Sequence, residues 1–406
     1  MTKALITGIG ITTAIGQGKD SFVESLLAGK DSFGIMQRQG RQKAGLSFIG
    51  AEISNFTSSK RLDERLSRRL SFCSQLTVAT LEEAWDEARL DEVAPEKIAL
   101  VIGGSNLQQR ELVNTTEAYT NNPLYVKPSY SISLWDTDLC GLCTEVFPIR
   151  GVAYSIGGAS ASGQVAVMHA VDVVESGRFD VCIAIGAMTD ISYLECQALR
   201  NVGAMGSTRY AEEPPLACRP FDQHRDGFIY GEACGVVIVE SIRSATSRKA
   251  KPYGKVLGTA TVLAGNRNPN PDLESEIAVI DKVLDQSKLS SKNIDYVNPH
   301  GSGSIVGDTT EINAILSSDL SNAFINTTKS ITGHGLSAAG AVEIIATLLQ
   351  MRTGQLHPSR NLITPEVNSI NWVSQQCVSH KVEIALCLSY GFSGINTALC
   401  LENGLQ

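Results

Sequence analysis

The chain has 406 residues, 43% of them hydrophobic, with 34 Lys plus Arg against 42 Asp plus Glu and a formal net charge of −8. That length supports one large or two fused globular units, and the acidic balance argues against a nucleic-acid partner, which would show as a basic excess. No apolar run reaches the roughly 20 residues of a membrane span, and the opening Met1–Gly8 reads as a strand entering a turn rather than a signal peptide, so a cytoplasmic protein that does not enter membranes is expected. Ten cysteines lie scattered, mostly in apolar stretches such as Val181–Ile183, which reads as free thiols buried in a reducing compartment.

In chain order, Lys60–Arg69 is rich in arginine (Arg61, Arg65, Arg68, Arg69), and Phe72–Ala88 has helical apolar spacing. Ile98–Ile102 is a short apolar run of the kind that forms a buried strand. Cys140 and Cys143 have the CxxC spacing of metal and redox sites. No second pair or nearby histidine completes a zinc set, so the spacing is read as coincidence in a partly buried segment. The run Ala153–Gly163, which contains Ser160, leads into Gly163–Glu175, apolar nearly all round and therefore a buried helix. Ser160 then lies at a strand-to-helix junction beside the free N–H groups of the helix start; taken alone it reads as an N-cap. Val181–Ile185 and Ile384–Leu388 are further buried strands, followed by glycine at Gly186 and at Gly391–Gly394.

The polar stretch Ser244–Tyr253 is the best internal boundary, dividing residues 1–248 from 249–406. Alternating strand-like and helix-like runs argue an α/β fold with largely buried parallel strands. The two halves are loosely alike, each placing a glycine turn after a core strand, which fits two similar lobes with a site between them.

Several motifs depart from background. His300-Gly-Ser-Gly-Ser304 precedes Gly307-Asp308 and Glu311. Lys329-Ser-Ile-Thr-Gly-His334 precedes Ala338-Ala-Gly-Ala-Val-Glu343, and Ser389-Tyr-Gly-Phe392-Ser-Gly-Ile-Asn396 closes the series. In order and spacing these resemble the β-ketoacyl synthase signatures HGTGTxxGDxxE, KSxxGHxxxAAGAxE and GFGGxN. Arg219-Pro-Phe-Asp222 and Arg225-Asp-Gly-Phe-Ile-Tyr-Gly-Glu232 resemble that family's RPFDxxRDGFxxGE, and Ile6–Gly10 and Leu26–Gly29 also match. The resemblance covers nearly the whole chain. It implies a thiolase-like fold, two similar α/β halves in a five-layer αβαβα arrangement, with the first half carrying Ser160 and the second His300 and His334. It also implies that His300 and His334 bind a thioester carbonyl oxygen and promote loss of carboxylate from malonyl. Lys329 and Glu343 would form a supporting ion pair, Phe392 would gate the site, and the backbone N–H groups of Ser160 and Phe392 would form an oxyanion hole.

One departure removes a reacting atom: Ser160 stands where the family has cysteine. A thiol with a pKa of about 8.5 ionises near a helix N-terminus, which contributes roughly 0.3–2 kcal/mol. An alkoxide starts near the roughly 15.7 of water, and bringing it to neutrality needs about eight units, or about 11 kcal/mol. Serine would need a dedicated general base. Decarboxylation needs no nucleophile, only donors that stabilise an enolate. The resemblance to free-standing Cys→Ser ketosynthase-like proteins of polyketide β-branching cassettes implies decarboxylation of malonyl-acyl carrier protein to acetyl-acyl carrier protein without condensation. No fused acyltransferase or carrier domain is read, which fits a discrete enzyme. The alternatives are a ketosynthase or acyltransferase using Ser160 as acyl acceptor, or a non-catalytic partner subunit that shapes an active ketosynthase. No cofactor or metal is implied, because the substrate rides on the phosphopantetheine of an acyl carrier protein. A homodimer is implied too, and Arg61, Arg65, Arg68 and Arg69 are one candidate docking surface for the acidic carrier, or simply a solvated helix face.

Overall fold

A computed structural model of the chain describes residues 4–404; Met1–Lys3 of the opening strand segment lie outside them. Ten strands form the main sheet: β1 Ala4–Thr13, β2 Ile98–Gly103, β3 Ala153–Ile156, β4 Val181–Gly186, β5 Ala233–Ser241, β6 Gly254–Leu263, β7 Tyr296–Asn298, β8 Phe324–Ile325, β9 Ile384–Gly391 and β10 Ile395–Asn403. A short strand, Gly16–Gln17, adds to β1. The order is β8-β7-β9-β10-β6-β1-β5-β4-β2-β3. The first five strands, taken outward from β1, run in the order 1-5-4-2-3, and the second five repeat it outward from β6. The two sets meet where β1 pairs antiparallel with β6. The parallel strands expected from sequence are β2 with β3 and β4, and β7 with β8 and β9. The remaining pairings are antiparallel, so the sheet is mixed rather than largely parallel. Gly186 and Gly391, the two glycines read as a repeat, end the equivalent strands β4 and β9.

Side-chain size alternates along these strands and sets the layering. In β2, Ile98, Leu100 and Ile102 face a cluster with α1 (Phe72–Ala88) and α2 (Thr137–Val146), whereas Ala99 and Val101 face α3 (Ser162–Glu175). In β9, Leu386 and Leu388 face α4 (Leu273–Ser287) and α5 (Ile305–Ser317), whereas Ala385 and Cys387 face α6 (Ala339–Thr353). Strand side chains alternate faces with period two, so the small residues admit α3 and α6 between the two halves of the sheet. Every residue from Ala339 to Met351 is buried, as a helix packed on all sides requires. The layers run helix, sheet, helix, sheet, helix, as the thiolase-like reading expects.

The middle helices cross on glycine. A Cβ on Gly163 would lie 2.8 Å from the Ala341 amide nitrogen, and one on Gly340 would lie 2.7 Å from that of Gln164. Each glycine is the second residue of its helix.

Candidate active site

Both middle helices are preceded by a 3-10 turn of the same shape. Ala159–Ala161 leads into α3 and Leu336–Ala338 into α6, and the first residue of each has positive φ (49° at Ala159, 50° at Leu336). Ser160 occupies the middle of the first turn. It is not an N-cap: Ala161 holds that position, and Ser162 makes the local bonds, donating to the Ala159 carbonyl at 2.7 Å and accepting from the Gly158 N–H at 2.9 Å. The Ser160 hydroxyl therefore points away from its own helix, and its Oγ lies 3.1 Å from Nε2 of His334.

His334 hangs from a backbone bridge, its N–H donating to the Ile229 carbonyl at 2.7 Å and its carbonyl accepting from the Gly231 N–H at 3.1 Å. Its ring packs edge-on against Phe228, centroids 5.1 Å apart, and against His300 at 5.4 Å. The His300 loop is pinned by acids from α5. Glu311 accepts from the backbone N–H groups of His300 (2.6 Å) and Gly301 (2.7 Å), and Asp308 accepts from those of Gly303 (3.0 Å) and Phe221 (2.7 Å). Lys329 Nζ donates to the His300 carbonyl and pairs with Glu343. Phe392, 39% exposed, sits at the β9–β10 turn and lines the same cleft of about 910 Å³ as Ser160, His300 and His334. A Cβ on Gly391 would fall 2.4 Å from the Gly158 carbonyl oxygen, so glycine there lets the Phe392 turn close on the Ser160 turn. Ser160, His300, His334 and Phe392 thus converge on one cleft, with Lys329 and Glu343 behind it.

The electrostatics follow from burial. Desolvation first, then the Lys329 charge, holds both imidazoles well below the ordinary histidine range, and for His300 the His334 ring adds to the effect. Each ring is neutral at pH 7 and has an N–H to offer. Nδ1 of neither ring has a hydrogen-bond partner. Burial pushes Glu343 up despite Lys329, and Glu311 up to about 8 despite two N–H donors.

The other motif residues act as scaffold. Arg219 pairs with Asp222 at 3.0 Å, and the other oxygen of Asp222 accepts from the Ile363 and Thr364 N–H groups. Arg225 donates to the Ile305 carbonyl at the start of α5. Glu232 pairs with Arg38 and Arg41. Cys140 and Cys143 lie one turn apart on α2, with burial pushing both thiols up. Among the described residues no group of three or more His, Cys, Asp or Glu is arranged to hold a metal ion. Arg61 pairs with Asp86 and packs on Phe147, Arg68 pairs with Glu64, and Arg65 and Arg69 are exposed. No helix among the described residues is long and apolar enough to cross a membrane.

Among the cleft residues not anticipated as site residues are Glu276 on α4 and Tyr390 on β9. Glu276 shares its helix face with the buried Val279, Ile280, Val283 and Leu284, the i, i+3, i+4, i+7, i+8 spacing that marks it as inward-facing.

A thiolase-like sheet with two middle helices, a small polar residue at the head of one and two histidines beside it define the condensing-enzyme class. The chain belongs to the β-ketoacyl synthase family: residues 1–245 match its N-terminal domain and residues 253–363 its C-terminal domain. It is 52% identical, over 99% of its length and 97% of the relative's, to the polyketide biosynthesis malonyl-ACP decarboxylase PksF of Bacillus subtilis (strain 168). A β-ketoacyl synthase structure from Burkholderia phymatum STM815 superposes with a TM-score of 0.88 at 23% identity, covering 99% of this chain and 100% of that one. The ketosynthase AntDE, in a structure with its type II acyl-carrier protein AntF, has a TM-score of 0.86 at 25% identity, covering 99% of each chain.

Proposed function

We propose that this protein decarboxylates malonyl-acyl carrier protein to acetyl-acyl carrier protein without condensation. The observation that carries the reading is the Ser160–His334 contact inside an otherwise complete ketosynthase constellation. In a Ser–His–Asp array a third group accepts from Nδ1–H and orients the imidazole as a base. Here Nδ1 of His334 meets no acceptor, and a buried donor without an acceptor costs about 1–3 kcal/mol. With no carboxylate or carbonyl to hold a proton on Nδ1, the proton is assigned to Nε2, which makes His334 a donor and leaves Ser160 without an oriented base. His334 and His300, both neutral, donate to the thioester oxygen and stabilise the enolate as CO2 leaves. Lys329 and Glu343 hold the His300 loop, Phe392 closes the cleft, and the N–H groups of Ser160 and Phe392 add donors for the oxyanion. The identity to a malonyl-ACP decarboxylase supports the substrate assignment.

Incubating the pure protein with malonyl-carrier and measuring intact masses tests this. Acetyl-carrier with an unmodified enzyme is expected. The short Ser160–His334 distance favours one rival, an acyltransferase or ketosynthase that loads Ser160, and an acyl adduct on Ser160 would establish it instead.

The finer parts of the proposal rest on separate support. A β-branching role follows from the serine at 160 together with the polyketide setting of the Bacillus relative, and a cytoplasmic location follows from that biosynthetic setting. The division into residues 1–248 and 249–406 is supported by the repeated strand order. A homodimer is supported by β3, an edge strand bonded on one side only among the described residues. Ser155 of β3 donates to the Asp136 carbonyl, next to the exposed Ile132, Leu134 and Trp135. An open strand edge flanked by apolar surface is a pairing site. Carrier docking is assigned to the exposed Arg65, Arg68 and Arg69.

A further inference from the structure

Loss of CO2 from a malonyl thioester leaves an electron pair at C2 that must take up a proton. A condensing enzyme gives that pair to an acyl group, whereas a decarboxylase needs an acid. Five carboxyl side chains line the cleft: Glu195, Asp272, Glu276, Asp308 and Glu311. Four are committed to backbone donors. Glu195 accepts from the Ser192 N–H, Asp272 caps α4 through Ser275, Asp308 holds Gly303 and Phe221, and Glu311 holds His300 and Gly301. Glu276 is different. It is 1% exposed, and its Oε2 is buried without a hydrogen-bond partner. The Tyr390 hydroxyl, also buried and without a partner, lies within electrostatic reach of Glu276, and the Tyr390 ring sits 5.7 Å from that of His300.

We propose that Glu276 is the proton donor that turns the C2 carbanion left by decarboxylation into the methyl group of the acetyl product. The inference rests on the decarboxylase reading and assigns the step that reading leaves open. The bond from C2 to the carboxylate breaks, CO2 departs, and the electron pair moves into the enolate held by His300 and His334. The Oε2–H bond then breaks as a C2–H bond forms, and the Glu276 carboxylate recovers its proton from water. Burial, reinforced by Glu311 and Asp308 on α5 and Asp272 on its own helix, pushes the Glu276 carboxyl well above the ordinary range. The side chain acts in its protonated form, the form that this burial favours. A neutral acid also admits the malonyl carboxylate, which an ionised Glu276 would repel.

The test is to run malonyl-carrier turnover in a 1:1 mixture of H2O and D2O and read deuterium in the acetyl methyl by mass spectrometry. Unreacted malonyl-carrier supplies the background exchange. Glu276→Gln preserves shape and neutrality but has no transferable proton, and incubation at high enzyme concentration accumulates its product. The H/D ratio in the Gln product is expected to shift from the wild-type value as water becomes the donor. Glu276→Asp is expected to keep the wild-type ratio, and kcat for Gln is expected to fall about 100-fold. The ratio decides, whatever kcat does: an identical ratio in wild type and Glu276→Gln would overturn the assignment. Failure of the wild-type protein to make acetyl-carrier would instead overturn the decarboxylase reading itself.

Discussion

Ser160 Oγ and His334 Nε2 stand 3.1 Å apart across 174 residues of sequence, each at the head of one of two helices that cross in the middle layer. On the proposed reading the hydroxyl touches the ring that binds the substrate oxygen, and serves as a hydrogen-bonding group where the family's thiol would attack.

If His300 and His334 are the enolate donors, His300→Ala and His334→Ala should each lower kcat for malonyl-carrier decarboxylation by roughly 10²–10³-fold, as losing one oxyanion donor does. Ser160→Ala should cost less, because serine only positions. Steady-state kinetics on the three variants checks this ranking, and a Ser160→Ala enzyme as damaged as the histidine variants would contradict it.

Restoring the thiol should restore acyl transfer. With a pKa of about 8.5 before any perturbation, a cysteine at 160 supplies a thiolate that serine cannot. Ser160→Cys should retain an acyl adduct on residue 160, detectable by intact mass and peptide mapping. An unmodified variant would show that something other than the nucleophile blocks transfer.

Lys329 and Glu343 are both buried, and Lys329 also holds the His300 carbonyl. Removing one partner of such a pair typically costs about 3–5 kcal/mol. Lys329→Met should therefore be markedly less stable in urea, and Lys329→Met with Glu343→Leu should recover much of the loss without recovering activity. Equal stability of single and double variants would mean that the pair is not coupled.

Glu311 gives a pH signature of known sign. Its carboxyl is pushed from 4.5 up to about 8, so between those values the folded protein keeps a proton that the unfolded chain has released. Stability from this group falls as pH rises through that window. Glu311→Gln removes the titration, so its Tm minus that of wild type should increase from about pH 5 to about pH 8. A flat difference would show that Glu311 is ionised in the folded state.

On this acidic chain, carrier docking at Arg65, Arg68 and Arg69 predicts that KM for malonyl-carrier rises with ionic strength. Reversing the charge at Arg68 and Arg69 should raise it further, with kcat nearly unchanged. Wild-type kinetics in that double variant would move the docking surface elsewhere.

Much of the framework was legible in the sequence because burial imposes period and length. Phe72–Ala88 is a helix with the bounds its apolar spacing predicts, and the strands at Ile98, Val181 and Ile384 begin where their apolar runs begin. The site was legible through its glycine-rich motifs. What escaped depends on contacts far apart in sequence. The spacing of Glu276 from Val279, Ile280 and Val283 aims it inward, but which groups it meets there depends on α5 and β9, far off in sequence. Ser160 resembles a cap until the positive φ of Ala159 turns its hydroxyl toward His334. The antiparallel pairings of β1, β5, β6 and β10 could not be read from hydropathy, since buried strands of either sense are continuously apolar. The repeat also has a trace in the sequence: Ala159-Ser-Ala-Ser-Gly163 and Leu336-Ser-Ala-Ala-Gly340 share the pattern x-Ser-Ala-x-Gly, the counterpart of the two matching turns.

Those two glycines act as a spacer of zero thickness. Where Gly163 and Gly340 meet the facing helix, the nearest atoms are backbone, joined only by the Cβ of Gln164, and a stop made of backbone yields little. The crossing lies three residues after Ser160 and six after His334, so it helps set how far apart the hydroxyl and the imidazole stand. A methyl group at either glycine would wedge the helices apart and lengthen the Ser160–His334 separation. The tolerance of the chemistry is thus set by atoms that never touch the substrate.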